Sequence, residues 1–146
     1  GTTDNVIPET AFLNGTVRTF DLSVQELVIE RMEKIVKGLS MSFEVNAQLN
    51  YKKGYPPTIN HEKETKFAVE VAKEICGPEK VLTSVGKEMG AEDFSYMLQK
   101  RPGAYLFLGI GKRAGLHNPN YDFNDEASPI GASFFARLIE KALPLE

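Results

Sequence analysis

The chain is poor in the residues that mark several functional classes. It has one cysteine, Cys76, so no disulfide can form within it. Sparse cysteine of this kind fits a reducing, cytosolic compartment. Tryptophan is absent, and histidine occurs only at His61 and His117. Neither histidine belongs to a Ser-His-Asp or Cys-His arrangement, so a papain-like nucleophile at Cys76 is not expected. No apolar run approaches the ~20 residues of a membrane helix. Basic residues do not prevail: Lys and Arg number 17 against 20 Asp and Glu, for a net charge of −3. That balance argues against a nucleic-acid partner. Gly1-Thr2-Thr3-Asp4-Asn5 has neither the basic stretch nor the apolar segment of a signal peptide.

What is present describes a packed protein of mixed structure. Of 146 residues, 42% are hydrophobic and 25% charged, ordinary values for a globular chain. Residues 11–19 alternate, with Ala11, Leu13 and Val17 on one face, and are expected as a strand. A helix is expected from Ser23, with Glu26 completing a capping box. Its apolar stripe is Val24, Leu27, Val28, Met32, Ile35, Val36 and Leu39, and Gly38 suits its end. Residues 43–52 alternate throughout and are expected as a second strand. One strand–helix–strand unit is too little to close a sheet alone.

Gly54-Tyr55-Pro56-Pro57 breaks the composition, and a domain junction is expected there. Beyond it, a helix is expected over Glu62–Ile75, with Phe67, Ala68, Val71, Ala72 and Ile75 on one side and Gly77-Pro78 ending it, and a short one over Ala91–Gln99, with Phe94, Met97 and Leu98 inward. A last helix is expected with Ser128 as its cap and Pro129 as its first residue, its stripe being Ile130, Phe134, Phe135, Leu138, Ile139 and Ala142. Lys80–Val85 is expected as a short strand. Ala104–Ile110 is expected as a strand buried on both faces. A polar loop, Gly111–Asp125, follows it.

Loops after such strands are where α/β proteins place their sites, and His117 lies in this one, within Leu116-His117-Asn118-Pro119. A neutral imidazole is a common Zn²⁺ or Mn²⁺ ligand. A loop histidine hydrogen-bonded to backbone is the plain alternative. Glu92-Asp93 offers two acids at a helix start, where they either compensate the helix dipole or aim a carboxylate into a cleft. Glu126 has the same ambiguity. Arg18 on its strand is either solvated or able to grip a carboxylate, and Asn5 is at home in a turn.

Taken in order, Asn5-Val6-Ile7-Pro8, Gly15-Thr16-Val17-Arg18-Thr19-Phe20, Tyr55-Pro56-Pro57-Thr58-Ile59-Asn60, Met89-Gly90-Ala91-Glu92-Asp93-Phe94, Pro102-Gly103-Ala104-Tyr105, Leu116-His117-Asn118-Pro119 and Asp122-Phe123-Asn124-Asp125 closely resemble the zinc-peptidase-like amidohydrolases. That group includes hippurate hydrolases, N-acyl-amino-acid amidohydrolases and auxin-conjugate hydrolases. The resemblance covers essentially the whole chain.

The resemblance implies a mixed α+β and α/β protein of two domains, present in part. Residues 1–54 look like the second half of a lid domain that makes the dimer. Residues 55–146 look like the C-terminal part of the catalytic α/β domain. His117 looks like the last ligand of a site for two divalent metal ions, Zn or Mn. Asn5, Arg18 and Glu92 look like substrate-binding residues, Arg18 toward a substrate carboxylate. The family's other ligands, its adjacent Glu-Glu pair and a further His have no counterpart in these 146 residues. The implied reaction is metal-activated water attacking an amide carbonyl, with that glutamate shuttling the proton. The expectation is therefore a C-terminal fragment of an N-acyl-amino-acid amidohydrolase: inactive alone, with no catalytic residue of its own, and self-associating through the lid. The alternative is a non-catalytic dimerisation or binding module of the same descent. Neither nucleic acid nor membrane is an expected partner.

Overall fold

The computed structural model describes residues 1–144. Four α-helices are present among the described residues: α1 (Leu22–Phe43), α2 (Glu62–Cys76), α3 (Phe94–Leu98) and α4 (Ser128–Ala142). Single 3-10 turns stand at Pro78–Lys80 and Asp125–Ala127. The chain divides into two compact units, Gly1–Lys52 and the part from Lys53 onward. The division falls just before the Gly54-Tyr55-Pro56-Pro57 break.

In the first unit, α1 is opened by Asp21, not Ser23. The Asp21 carboxylate accepts from the Ser23 backbone N–H at 2.7 Å and from the Ser23 hydroxyl at 2.6 Å. Those bonds satisfy one of the orphan donors of the first turn and hold the Asp21 carboxyl below its usual range, the Ser23 hydroxyl most of all. The helix also runs past Gly38, the expected stop. Nothing crowds Gly38, and no proline follows closely, so Leu39 to Phe43 continue the turn. Glu44 ends it in the left-handed region, at φ 54°. Phe43 thus belongs to the helix and not to a strand. Beyond it the Ser40 hydroxyl clasps Ala47, taking its N–H at 3.1 Å and reaching its carbonyl at 3.4 Å.

In the second unit the core lies between α2 and α4. Ala68 and Val71 of α2 are buried, Val71 completely. Phe67, Ala72 and Ile75 on the same side are half-buried, so the expected stripe is the inward face. Gly77 ends α2 at φ 87°, with its N–H on the Lys73 carbonyl at 2.9 Å. Glycine suits that conformation because it has no Cβ to clash. On α4, Gly131, Phe134 and Leu138 are half-buried, while Phe135 and Ile139 of the expected stripe are exposed. Ser128 is the first residue of α4, one step inside the expected cap. In α3, Ser95 and Leu98 turn inward; Met97, expected inward, is exposed.

No strand ladder forms among the described residues. Residues 11–19, 44–52, 81–85 and 104–110 lie outside regular structure, as does the first turn expected of α3 at Ala91–Asp93, and Lys80, expected to begin a strand, ends the 3-10 turn. A strand exists through its neighbour's hydrogen bonds, and these segments have none of the required register partners. The apolar run Ala104–Ile110, expected to be buried on both faces, therefore shows Phe107 to solvent.

The two long helices of this unit are also clipped by charge. Glu74 of α2 accepts from Arg137 Nε at 3.0 Å and from Lys141 Nζ, both on α4. Arg137 is shared with Glu140 at 3.2 Å. The Lys141 and then the Arg137 hydrogen bond hold the Glu74 carboxyl below the usual carboxylate range. A carboxyl whose pKa is depressed by folding stabilises the fold above its unfolded value and loses that contribution as pH falls through the folded value. Thermal melting followed by circular dichroism should accordingly drop in acid, and Glu74→Gln should melt lower at neutral pH and lose part of that acid dependence. Identical acid profiles for the two proteins would rule the clip out as a source of stability.

Candidate functional site

The candidate residues fall into separate places. Asn5 and Arg18 belong to the first unit, Glu92 and His117 to the second. Asn5 lies in a shallow, open hollow lined by Gly1 and by Thr3 to Pro8. Its side-chain oxygen accepts from the Thr3 hydroxyl at 2.8 Å. Arg18 is exposed.

Glu92 stands at the entrance to α3 and is half-buried. One carboxylate oxygen accepts from the Tyr105 hydroxyl at 2.9 Å, the other from the Phe94 backbone N–H at 3.4 Å. The Tyr105 bond is the chief reason that the Glu92 carboxyl lies below its ordinary value. The same bond, with burial, raises the Tyr105 hydroxyl. An ionised acceptor beside a retained phenol proton is a stable pair: each group favours the state the other needs.

Tyr105 is fixed in turn by Asn60. The Asn60 carboxamide donates to the Tyr105 carbonyl and accepts from the Tyr105 N–H, both at 2.8 Å. A side-chain amide thus stands in for a neighbouring strand. His61 continues the pairing: its backbone N–H donates to the Gly103 carbonyl at 3.0 Å, and its Nδ1 accepts from the Gly103 N–H at 3.2 Å. His61 is therefore a structural residue. A Cβ at Gly103 would lie 3.2 Å from the Leu98 side chain, which would have to shift by a few tenths of an ångström to admit it. Phe94 and Phe107 flank the Tyr105 ring, with centroids at 5.7 and 5.3 Å.

His117 is exposed and adopts φ 63°. The Asn118 N–H donates to the Gly115 carbonyl at 3.3 Å, so Leu116 and His117 are the central pair of a tight turn. Its second central position needs a positive φ, which glycine or asparagine usually supplies. A histidine there costs roughly 1–2 kcal/mol relative to glycine. Such outliers persist where the surroundings enforce them, and they gather at functional sites.

The donor set for a metal is short. No group of three or more His, Cys, Asp or Glu side chains converges among the described residues. A catalytic zinc takes about three protein ligands. His117 fits the chemistry of one donor, and the residues present do not make the rest of a site. Asn60, Tyr105, Arg113, Asp122 and Asn124 carry no assigned role in the sequence reading, although most of them stand in the motifs quoted there. Their contacts are long-range or depend on loop geometry, which spacing alone does not reveal.

Residues 4–141 match the profile of peptidase family M20/M25/M40. The chain is similar to a putative amidohydrolase, YhaA, of Bacillus subtilis (strain 168), at 34% identity over 137 residues, covering 90% of this chain and 34% of the relative. It is similar to a hippurate hydrolase of Campylobacter jejuni, at 33% identity over 139 residues, covering 95% of this chain and 36% of the relative. It is also similar to an N-acetyldiaminopimelate deacetylase of Brevibacillus brevis, at 33% identity over 137 residues, covering 94% and 36%. The chain spans about a third of the length of these relatives. No solved structure gives a significant match. No helix among the described residues is long and apolar enough to cross a membrane.

The strain at His117 is measurable. His117→Gly should raise the stability of the chain by about 0.5–1 kcal/mol in urea unfolding, because glycine takes a positive φ without cost and the penalty exceeds its extra unfolded-state entropy. A loss of stability on that substitution would mean that the imidazole makes a contact worth more than the strain.

Proposed function

The chain belongs to peptidase family M20/M25/M40, and from that premise we propose that it is part of a metal-dependent amidohydrolase that cleaves the amide bond of N-acyl amino acids. The match over residues 4–141, with relatives named amidohydrolase, hippurate hydrolase and N-acetyldiaminopimelate deacetylase, is the observation that carries the reading. The last two names describe one chemistry, an acyl group joined to an amino-acid nitrogen, and the first names hydrolysis of an amide.

In this reading the chain is the C-terminal portion of a longer enzyme. Residues 1–54 are the second half of a lid and residues 55–146 the end of an α/β catalytic domain. The extended segments that lack a ladder would be strands of sheets whose other strands lie elsewhere in the whole protein. The exposure of Phe12, Leu13 and Phe107 supports this, since apolar side chains in such segments are normally covered. A cytosolic setting suits Cys76, which has no partner cysteine.

His117 supplies one donor to a site for two divalent ions, Zn or Mn, and the chain holds no catalytic residue of its own. The substrate-binding roles fall to Asn5, Arg18 and Glu92. The Arg18 guanidinium is suited to the carboxylate of the amino-acid part, because its N–H groups form a fork that matches two oxygens. The Glu92 carboxylate, held ionised by Tyr105, is suited to a donor N–H and would repel a second carboxylate.

Assays of the chain with Zn²⁺ or Mn²⁺ and N-acetyl or N-benzoyl amino acids should give no turnover. The whole enzyme should hydrolyse them, and His117→Ala in it should lower kcat/KM at least about a hundredfold, since even outer-shell partners of metal ligands are worth 10–100-fold. Robust activity of the chain alone, or an unaffected His117→Ala enzyme, would overturn the reading.

A further inference from the structure

The loop that carries His117 is tied shut at two levels. At its base, Asn124 is half-buried and uses both ends of its carboxamide. Its Nδ2 donates to the Ile110 carbonyl at 3.3 Å. Its Oδ1 accepts from the Glu126 N–H at 3.3 Å. One side chain therefore links the end of the apolar run to the 3-10 turn that leads into α4. Above it, Arg113 NH1 meets Asp122 Oδ2 at 3.1 Å across the loop. At the tip, Asn118 organises the chain around the turn: its Oδ1 accepts from the Asn120 N–H and its carbonyl from the Tyr121 N–H, both at 2.9 Å.

The tip alone does not account for the posture of His117. A left-handed histidine relaxes toward ordinary backbone unless the ends of its loop are held, because a loop with free ends has many conformations that relieve the strain. Closing the neck removes those conformations. Each tie joins a residue before His117 to one after it, Ile110 to Asn124 and Arg113 to Asp122, so both act on the same opening motion.

We propose that Asn124 and the Arg113–Asp122 pair form a buckle that keeps the His117 loop closed and its imidazole in the left-handed turn. All three are positioning residues for His117. The purpose assigned to the buckle rests on the reading of His117 as a metal donor; its geometry does not.

Asn124→Asp separates the two jobs of Asn124. An aspartate keeps the oxygen that caps the Glu126 N–H, and its charge suits a helix start. It has no donor for the Ile110 carbonyl and sets a carboxylate against it. Amide hydrogen exchange in this chain should rise about three- to tenfold over residues 111–123 in Asn124→Asp, the factor expected from one lost hydrogen bond. Exchange in α2 and α4 should stay as it was. The His117 amide-to-Hα coupling should move away from its left-handed value. Arg113→Gln or Asp122→Asn should raise loop exchange about two- to fivefold, and the reciprocal exchange, Arg113→Asp with Asp122→Arg, should return it toward the parent. The proposal is overturned if loop exchange is unchanged in Asn124→Asp, if exchange rises equally in α2 and α4, or if the reciprocal pair behaves like the single variants. An unchanged loop would leave the metal reading intact, and an active His117→Ala enzyme would leave the loop result intact, so the two failures are told apart.

Discussion

A backbone N–H or C=O must find a partner, and in an extended segment the partner cannot come from the segment itself. That constraint governs the second unit of this protein. Tyr105 satisfies both of its backbone groups on the Asn60 carboxamide, and Gly103 satisfies its own on His61. These four bonds hold the start of the apolar run against the start of α2. Both candidate residues of this unit, Glu92 and His117, are reached from that junction. With its backbone held, Tyr105 can offer its hydroxyl to Glu92, and the run then leads through Ile110 into the His117 loop. A side-chain amide copies a peptide closely enough to replace one rung of a ladder, but it supplies only one. Leu106 to Gly109 go without, which is why the run is extended yet not a strand.

The parts legible in the sequence are those decided locally. The α2 stripe of Phe67, Ala68, Val71, Ala72 and Ile75 faces inward because its period matches one side of a helix, and Gly77-Pro78 stops the helix because neither residue continues it. The end of α1 is different. Gly38 reads as a terminator, but a helical glycine costs only about 1 kcal/mol against alanine, and Leu39 to Phe43 carry the helix on. Phe43 to Lys52 alternate without fault, yet alternation records which side chains share a face, not whether a neighbouring strand exists. The segments expected as strands at 11–19, 80–85 and 104–110 form no ladder among the described residues for the same reason: periodicity is a property of the segment, pairing a property of two.

The site was legible in its residue types more than in its contacts. His117 and Glu92 stand out by chemistry and position. That Tyr105 holds Glu92, and that Asn60 holds Tyr105, are relations between residues more than ten positions apart. The phenol–carboxylate pair also shows why an acid at a helix start is ambiguous in sequence. The same oxygen pair takes the Phe94 N–H, as a dipole-compensating residue does, and the Tyr105 hydroxyl, as a residue of a polar site does. Both descriptions of Glu92 hold at once.

His117 joins these strands of argument. Its positive φ is a cost, and Asn118, Arg113, Asp122 and Asn124 are the groups that hold the loop while it is borne. Glycine at this position would remove the cost, so stability alone does not explain a histidine there. What a histidine adds is an imidazole, aimed outward from a turn that fixes the backbone beneath it. A ligand gains from that arrangement because a donor already oriented loses less entropy on binding than one on a free loop. The same preorganisation is useless to a lone imidazole in water. The strained turn therefore suits the donor role proposed for His117, which on that reading is one of about three protein ligands that a catalytic zinc takes.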